Sequence, residues 1–115
     1  MKLTQAALTV MVSDMGRAIS FYSSLGFTLH QRYGDHYAEI VAPGMKIGLH
    51  PSRSVLTPSD NVSIGLIAES FDAARKELEE LGIAYEERSE QGGNFLHFRD
   101  PDGTPVYFYE AKGWG

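Results

Sequence analysis

The chain has 115 residues, 43% of them hydrophobic and 22% charged, with a formal net charge of -5. That length suits one domain around one core, and 10 scattered Lys and Arg residues form no basic stripe of the kind that neutralises nucleic-acid phosphates. The absence of cysteine removes disulfides, thiolate metal sites and thiol nucleophiles together. No apolar run approaches membrane-spanning length and residues 1–12 lack the build of a signal peptide, so no membrane partner is expected and the cytoplasm is the expected compartment. The acidic balance favours a cationic small ligand.

In chain order, Leu8, Val10 and Val12 alternate as a half-buried strand does. Asp14 then suits a helix N-cap, Met15, Ala18, Ile19, Tyr22 and Leu25 form one apolar stripe at helical spacing, and Gly26 suits the left-handed residue that ends a helix. Strands are expected over 27–33, 36–41 and 46–50, the last two joined through Pro43-Gly44. After a linker over 51–61 the order returns: a strand carrying Val62, Ile64 and Leu66, a cap at Ser70, a stripe of Phe71, Ala74, Leu78 and Leu81, a stop at Gly82, and strands over 84–88, 94–99 and 105–110. Asp100, Pro101, Asp102 and Gly103 suit a type I turn before the last strand, because Pro presets φ and the Asp side chain can bond the backbone.

The chain therefore reads as an α+β domain over 1–115 built from two βαβββ modules, about 1–50 and about 62–112. Aligning Leu25-Gly26 with Leu81-Gly82 gives an offset of 56, and aligning Gly44 with Gly103 gives 59. Each period-2 strand must bury its apolar face on a helix stripe, which leaves the other face open. Opposite the helices this puts Gln5, Ala7, Thr9 and Met11, then Lys46, Gly48 and His50, in the first module. In the second it puts Asn61, Ser63 and Gly65, then Pro105, Tyr107 and Tyr109. Small, polar and aromatic side chains mixed in this way suit the wall of a concave ligand site.

Val12 and Asp14 as V-x-D, Phe21-Tyr22, Leu25-Gly26-Phe27 and the D-P-D-G of Asp100 to Gly103 together resemble the vicinal oxygen chelate superfamily, which includes glyoxalase I, extradiol dioxygenases and the fosfomycin- and bleomycin-resistance proteins. The resemblance spans nearly the whole chain. It implies a curved eight-stranded sheet forming a cleft, helices on the outer face, and a homodimer. It also implies metal ligands on the first and last strands of each module, and these positions fall on Ala7, Gly48, Ser63 and Tyr107. Ala, Gly and Ser are not normal transition-metal ligands and a neutral Tyr is a poor one, so no cofactor is expected.

The expected activity is thus small-molecule binding without metal, similar to the bleomycin-resistance proteins that sequester drugs. The expected ligand-lining residues are Tyr37, Glu39, His50, Ser63, His97, Tyr107 and Tyr109, with Arg99 a further candidate. The alternative is a lyase, isomerase or dioxygenase resembling glyoxalase, with one divalent ion on displaced ligands among Glu39, His50, His97 and Tyr107. His30 and His36 flank the hairpin of the thirties, where exposure rather than chemistry is expected. Trp114 is a candidate to cover a partner subunit's cleft.

Overall fold

A computed structural model describes residues 1, 2, 4, 6–52, 62–90 and 93–111. Gln5, Asn61, most of the expected linker and Trp114 lie outside the described residues. The chain divides into two compact units, Met1–Leu56 and Thr57–Gly115.

Unit 1 runs β1 (Leu8–Val12), α1 (Met15–Ser24), β2 (Thr28–Tyr33), β3 (Tyr37–Ala42) and β4 (Met45–Pro51). Unit 2 repeats the order as β5 (Ile64–Leu66), α2 (Phe71–Glu80), β6 (Glu86–Glu90), β7 (Gly93–Arg99) and β8 (Pro105–Ala111). The eight expected strands are all present, four in each of two sheets, ordered β1-β4-β3-β2 and β5-β8-β7-β6. In both sheets the opening strand lies parallel to the closing strand, and the remaining pairs are antiparallel. β4 continues through Pro51, which pairs with Val12, so the strand reaches into what the sequence suggests is linker.

Both helices start and stop by the same chemistry. Asp14 Oδ1 accepts from the Arg17 N–H at 2.9 Å, and Ser70 Oγ accepts from the Ala73 N–H at 3.1 Å, each satisfying an orphan donor of the first turn. At the other ends Gly26 and Gly82 take φ of 110° and 71°. The N–H groups of Phe27 and Ile83 then reach back to the carbonyls of Tyr22 and Leu78, and those of Gly26 and Gly82 to Ser23 and Glu79. This is the Schellman pattern in both copies.

The cores follow from the helix stripes. In unit 1 Met15, Ala18, Ile19 and Tyr22 are buried on Val10, Val12, Ala38, Ile40, Ile47 and Leu49, and Phe27 closes the end of the helix edge-to-face on Tyr22 at 5.5 Å. In unit 2 Phe71, Ala74 and Leu78 are buried with Ile64, Leu96, Phe98, Val106 and Phe108. Each fully buried aliphatic or aromatic side chain contributes about 1.5–3 kcal/mol. Leu25 and Leu81, expected to end the two stripes, are the C-caps of α1 and α2; Leu25 is half-buried and Leu81 is 47% exposed.

The turn before β8 forms as expected. Asp100 is buried, its Oδ1 accepts from the N–H groups of Asp102 and Thr104 at 2.9 and 2.8 Å, and the Gly103 N–H donates to the Asp100 carbonyl. Gly103 takes φ of 89°.

Candidate functional site

With one face of each sheet buried under its own helix, the opposite face is free to carry chemistry. In unit 1 that face holds Thr9 and Met11 of β1, Lys46, Gly48 and His50 of β4, and Tyr37, Glu39 and Val41 of β3, by strand parity and register. Ala7 precedes β1 and is exposed. Glu39 stands opposite Gly48 on one side and Gln31 on the other. Its side chain is only 15% exposed, and it accepts a hydrogen bond from His30 Nδ1 at 2.5 Å, the carboxylate being an acceptor only. Lys46 Nζ lies 3.9 Å from the same Oε1.

Tyr37 lies across Gly48. A Cβ added there would stand 2.5 Å from the Tyr37 hydroxyl and 2.9 Å from its ring, so the bare glycine is the seat of that ring. Tyr33 flanks Tyr37, ring centroids 6.3 Å apart. His50 is exposed and donates from Nδ1 to the carbonyl of Pro51 at 2.9 Å.

In unit 2 the open face is aromatic. The registers Phe95↔Tyr109 and His97↔Tyr107 set four rings on one side of β7 and β8. Phe95 stacks on His97 at 5.5 Å with planes 17° apart, and lies 5.9 Å from Tyr107 and 5.0 Å from Tyr109; His97 and Tyr107 are 5.8 Å apart. These separations are those of favourable aromatic pairs. Tyr107 extends sideways over Gly65 of β5, where a Cβ would meet its hydroxyl at 2.5 Å. Ser63, just before β5, is exposed. Beside the rings, β6 pairs Glu86 with His97 and Arg88 with Phe95. Arg88 bonds both oxygens of Glu86 at 3.0 and 3.2 Å and holds that carboxylate below its usual range. Arg99 donates to the Gly103 carbonyl at 2.7 Å, which ties it to the turn.

Of the expected ligand-lining residues, the structure therefore brings together Tyr37, Glu39 and His50 on one face and His97, Tyr107 and Tyr109 on another. Two participants went unnoticed in the sequence. Phe95 is the centre of the ring cluster and shares the alternation of His97, so parity alone could have found it. His30 is 54% exposed, as a hairpin residue should be, yet it is the partner of Glu39. It sits where the β2–β3 register shifts between Leu29 and Gln31, and that irregularity has no local sequence signal.

A metal fits this donor set poorly. Ala7 and Gly48 offer no donor atom, Ser63 and Tyr107 offer only hydroxyls, and among the described residues no group of three or more His, Asp or Glu could hold an ion.

Two βαβββ units with matching strand order, each leaving one sheet face open, define the fold of the vicinal oxygen chelate class. The chain belongs to the Glyoxalase/Bleomycin resistance protein/Dioxygenase superfamily, whose family model matches residues 4–108. Solved structures with the same fold include the genomically encoded fosfomycin resistance protein FosX from Listeria monocytogenes, at TM-score 0.78 and 19% identity over 98% of this chain and 97% of that one. A bleomycin resistance determinant encoded on the transposon Tn5 matches at TM-score 0.75 and 18% identity over 96% and 99%. Lactoylglutathione lyase from Agrobacterium tumefaciens matches at TM-score 0.77 and 18% identity over 97% and 96%. At such identities the likeness is one of fold. No curated protein matches the sequence. Among the described residues no helix is long and apolar enough to cross a membrane.

Proposed function

We propose that the chain is a metal-independent small-molecule-binding protein of this superfamily, acting as a cytoplasmic homodimer in the sequestration of an antibiotic or a metabolite. The observation that carries this reading is the floor of Phe95, His97, Tyr107 and Tyr109, with Tyr107 standing where the family resemblance implies a metal-binding position. A sheet face paved with rings gives a flat or apolar ligand area to bury and π-faces to stack on, while the Tyr hydroxyls and His97 fix its orientation. Ser63 borders the same face next to β5, and Tyr37, Glu39 and His50 are the polar candidates on unit 1's own open face.

A thermal-shift screen of antibiotics and metabolites identifies the ligand, since a molecule that binds only the native state raises the unfolding temperature. Tyr107→Ala is expected to weaken that ligand by about 1–3 kcal/mol with the fold retained, the range for removal of one aromatic contact. Unchanged affinity in Tyr107→Ala removes the support for this face. The competing reading, a metal-dependent enzyme resembling the lactoylglutathione lyase neighbour, is separated by metal analysis after mild purification. Stoichiometric Fe, Ni, Zn or Mn that is lost in His50→Ala would establish it in place of ours.

A further inference from the structure

Val10 and Val12 are buried on the helix side of β1, so the alternation of that strand turns Thr9 and Met11 to the other side of the sheet. Met11 is 43% exposed there. The parallel ladder sets it directly beside His50 of β4, which is exposed while its neighbour Leu49 is fully buried. Neighbouring strands lie about 4.8 Å apart, so a thioether and an imidazole rise from adjacent backbone positions onto one open face.

His50 is also held as a metal-binding imidazole is held. Its Nδ1 lies 2.9 Å from the Pro51 carbonyl. A carbonyl only accepts, so the proton of the neutral ring is on Nδ1 and Nε2 keeps its lone pair. Metal-ligating histidines regularly give their second N–H to a carbonyl or a carboxylate, which fixes both the tautomer and the ring. Among the described residues no hydrogen bond reaches Nε2 of His50 or the sulfur of Met11. Divalent ions such as Zn and Fe need more donors than this pair offers, and no group of three His, Asp or Glu stands among the described residues to supply them. A thioether lies outside that set. It selects for a soft monovalent ion such as Cu(I), which is content with few ligands.

We propose that Met11 and His50 form a surface site for a soft monovalent cation of the Cu(I) and Ag(I) class, with one thioether sulfur and one imidazole nitrogen as the protein donors. The Pro51 carbonyl is a positioning group: it holds the ring so that Nε2, and not Nδ1, meets the ion. The site lies wholly within unit 1 and does not depend on the reading of the ring floor of unit 2. Its ion is also distinct from the divalent metals of the lyase alternative.

Silver nitrate in chloride-free buffer tests this, because Ag(I) offers the same soft monovalent chemistry without a change of oxidation state. In an NMR titration of the native chain, one equivalent is expected to move the Met11 ε-methyl and His50 ring signals together, and to leave those of Met1, Met15, Met45, His30, His36 and His97 in place. Zinc sulfate is expected to leave the Met11 methyl where it was. Met11→Leu keeps the side-chain bulk and removes the sulfur. It is expected to weaken Ag(I) binding more than about tenfold, since the loss of even an outer-shell partner costs about 10–100-fold. His50→Gln is expected to weaken it similarly. Both side chains are exposed, so both variants are expected to unfold at the native temperature without the ion, and Ag(I) to raise that temperature only in the native chain. Met11 and His50 signals that stay still or move separately, earlier movement of any other methionine or histidine, or undiminished Ag(I) binding in Met11→Leu overturns the proposal. The titration of the native chain decides the matter even where a variant does not fold.

Discussion

The two modules share a frame and differ in what they put on it. In each, a capped ten-residue helix buries one sheet face, and in each a tyrosine lies flat over a glycine on the other face. Around that tyrosine unit 1 collects charge, with His30 and Lys46 gathered on Glu39, whereas unit 2 collects rings, with Phe95 and His97 packed on Tyr107 and Tyr109 packed on Phe95. The tyrosines themselves come from different strands: Tyr37 reaches from β3 to β4, and Tyr107 from β8 to β5. The helix face is fixed by burial, which tolerates few side chains, while the open face is under no such packing constraint. A duplicated fold can therefore keep its cores alike and let its surfaces diverge.

The largest expected effect tests the likeness of the cores. Tyr22 in α1 is fully buried and meets Phe21 and Phe27 edge-to-face at 5.3 and 5.5 Å, where the matching position of α2 carries the smaller Leu78. Tyr22→Ala is expected to destabilise the chain by about 3–5 kcal/mol, as large-to-small changes at buried aromatics do. Leu78→Ala should cost about 2–5 kcal/mol. Denaturant unfolding of both variants checks the pair. A Tyr22→Ala cost below 1 kcal/mol would mean that α1 packs on its sheet far more loosely than α2.

The glycine seats give the next effect. Gly48 is buried beneath Tyr37, so Gly48→Ala must push the ring aside; overpacking costs about 1–3 kcal/mol and the stiffer unfolded chain returns about 0.4–1 kcal/mol, leaving a net loss of about 1–2 kcal/mol. Gly65 is exposed and its tyrosine can lift toward solvent, so Gly65→Ala should cost less than about 1 kcal/mol by the same balance. It should still move the Tyr107 ring resonances in an NMR spectrum. Equal losses at the two sites would show that the seats are equivalent after all.

The frame was legible in the sequence because local chemistry sets it. Asp14 and Ser70 at helix starts, Gly26 and Gly82 at helix ends, and the Asp100 turn each depend on a few neighbouring residues, and all formed as read. Parity likewise carried Tyr107, His97 and Glu39 to their open faces. What could not be read was whatever depends on how one strand is registered against the next. His30 meets Glu39 only because the β2–β3 ladder shifts beside it, and Gly48 and Gly65 accept tyrosines from neighbouring strands rather than from their own. An exposed histidine and two strand glycines look unremarkable until the pairing is known.

The smallest expected effect separates two of the edge strands, β2 and β6. β6 carries Glu86, Glu87 and Glu90, and β2, over Thr28–Tyr33, carries no carboxylate. Arg75 grips both oxygens of Glu87 at 2.8 Å while also bonding Asp72, and Arg88 grips Glu86, so both glutamates titrate below their ordinary range in the folded chain. A carboxyl whose folded value is depressed lends stability that is complete above its unfolded value and disappears as pH falls through the depressed one. Acid should therefore loosen β6 before β2. Because these pairs lie in solvent the effect is small and weakens further in high salt. Amide-exchange protection measured from pH 6 down to pH 3, corrected for intrinsic rates, should fall first at residues 86–90. Arg75→Ala should remove the share that depends on Glu87 and leave the share held by Arg88. Equal loss of protection in β2 and β6 would mean that the carboxylates contribute nothing to the edge, and that its protection comes from the ladder to β7 alone.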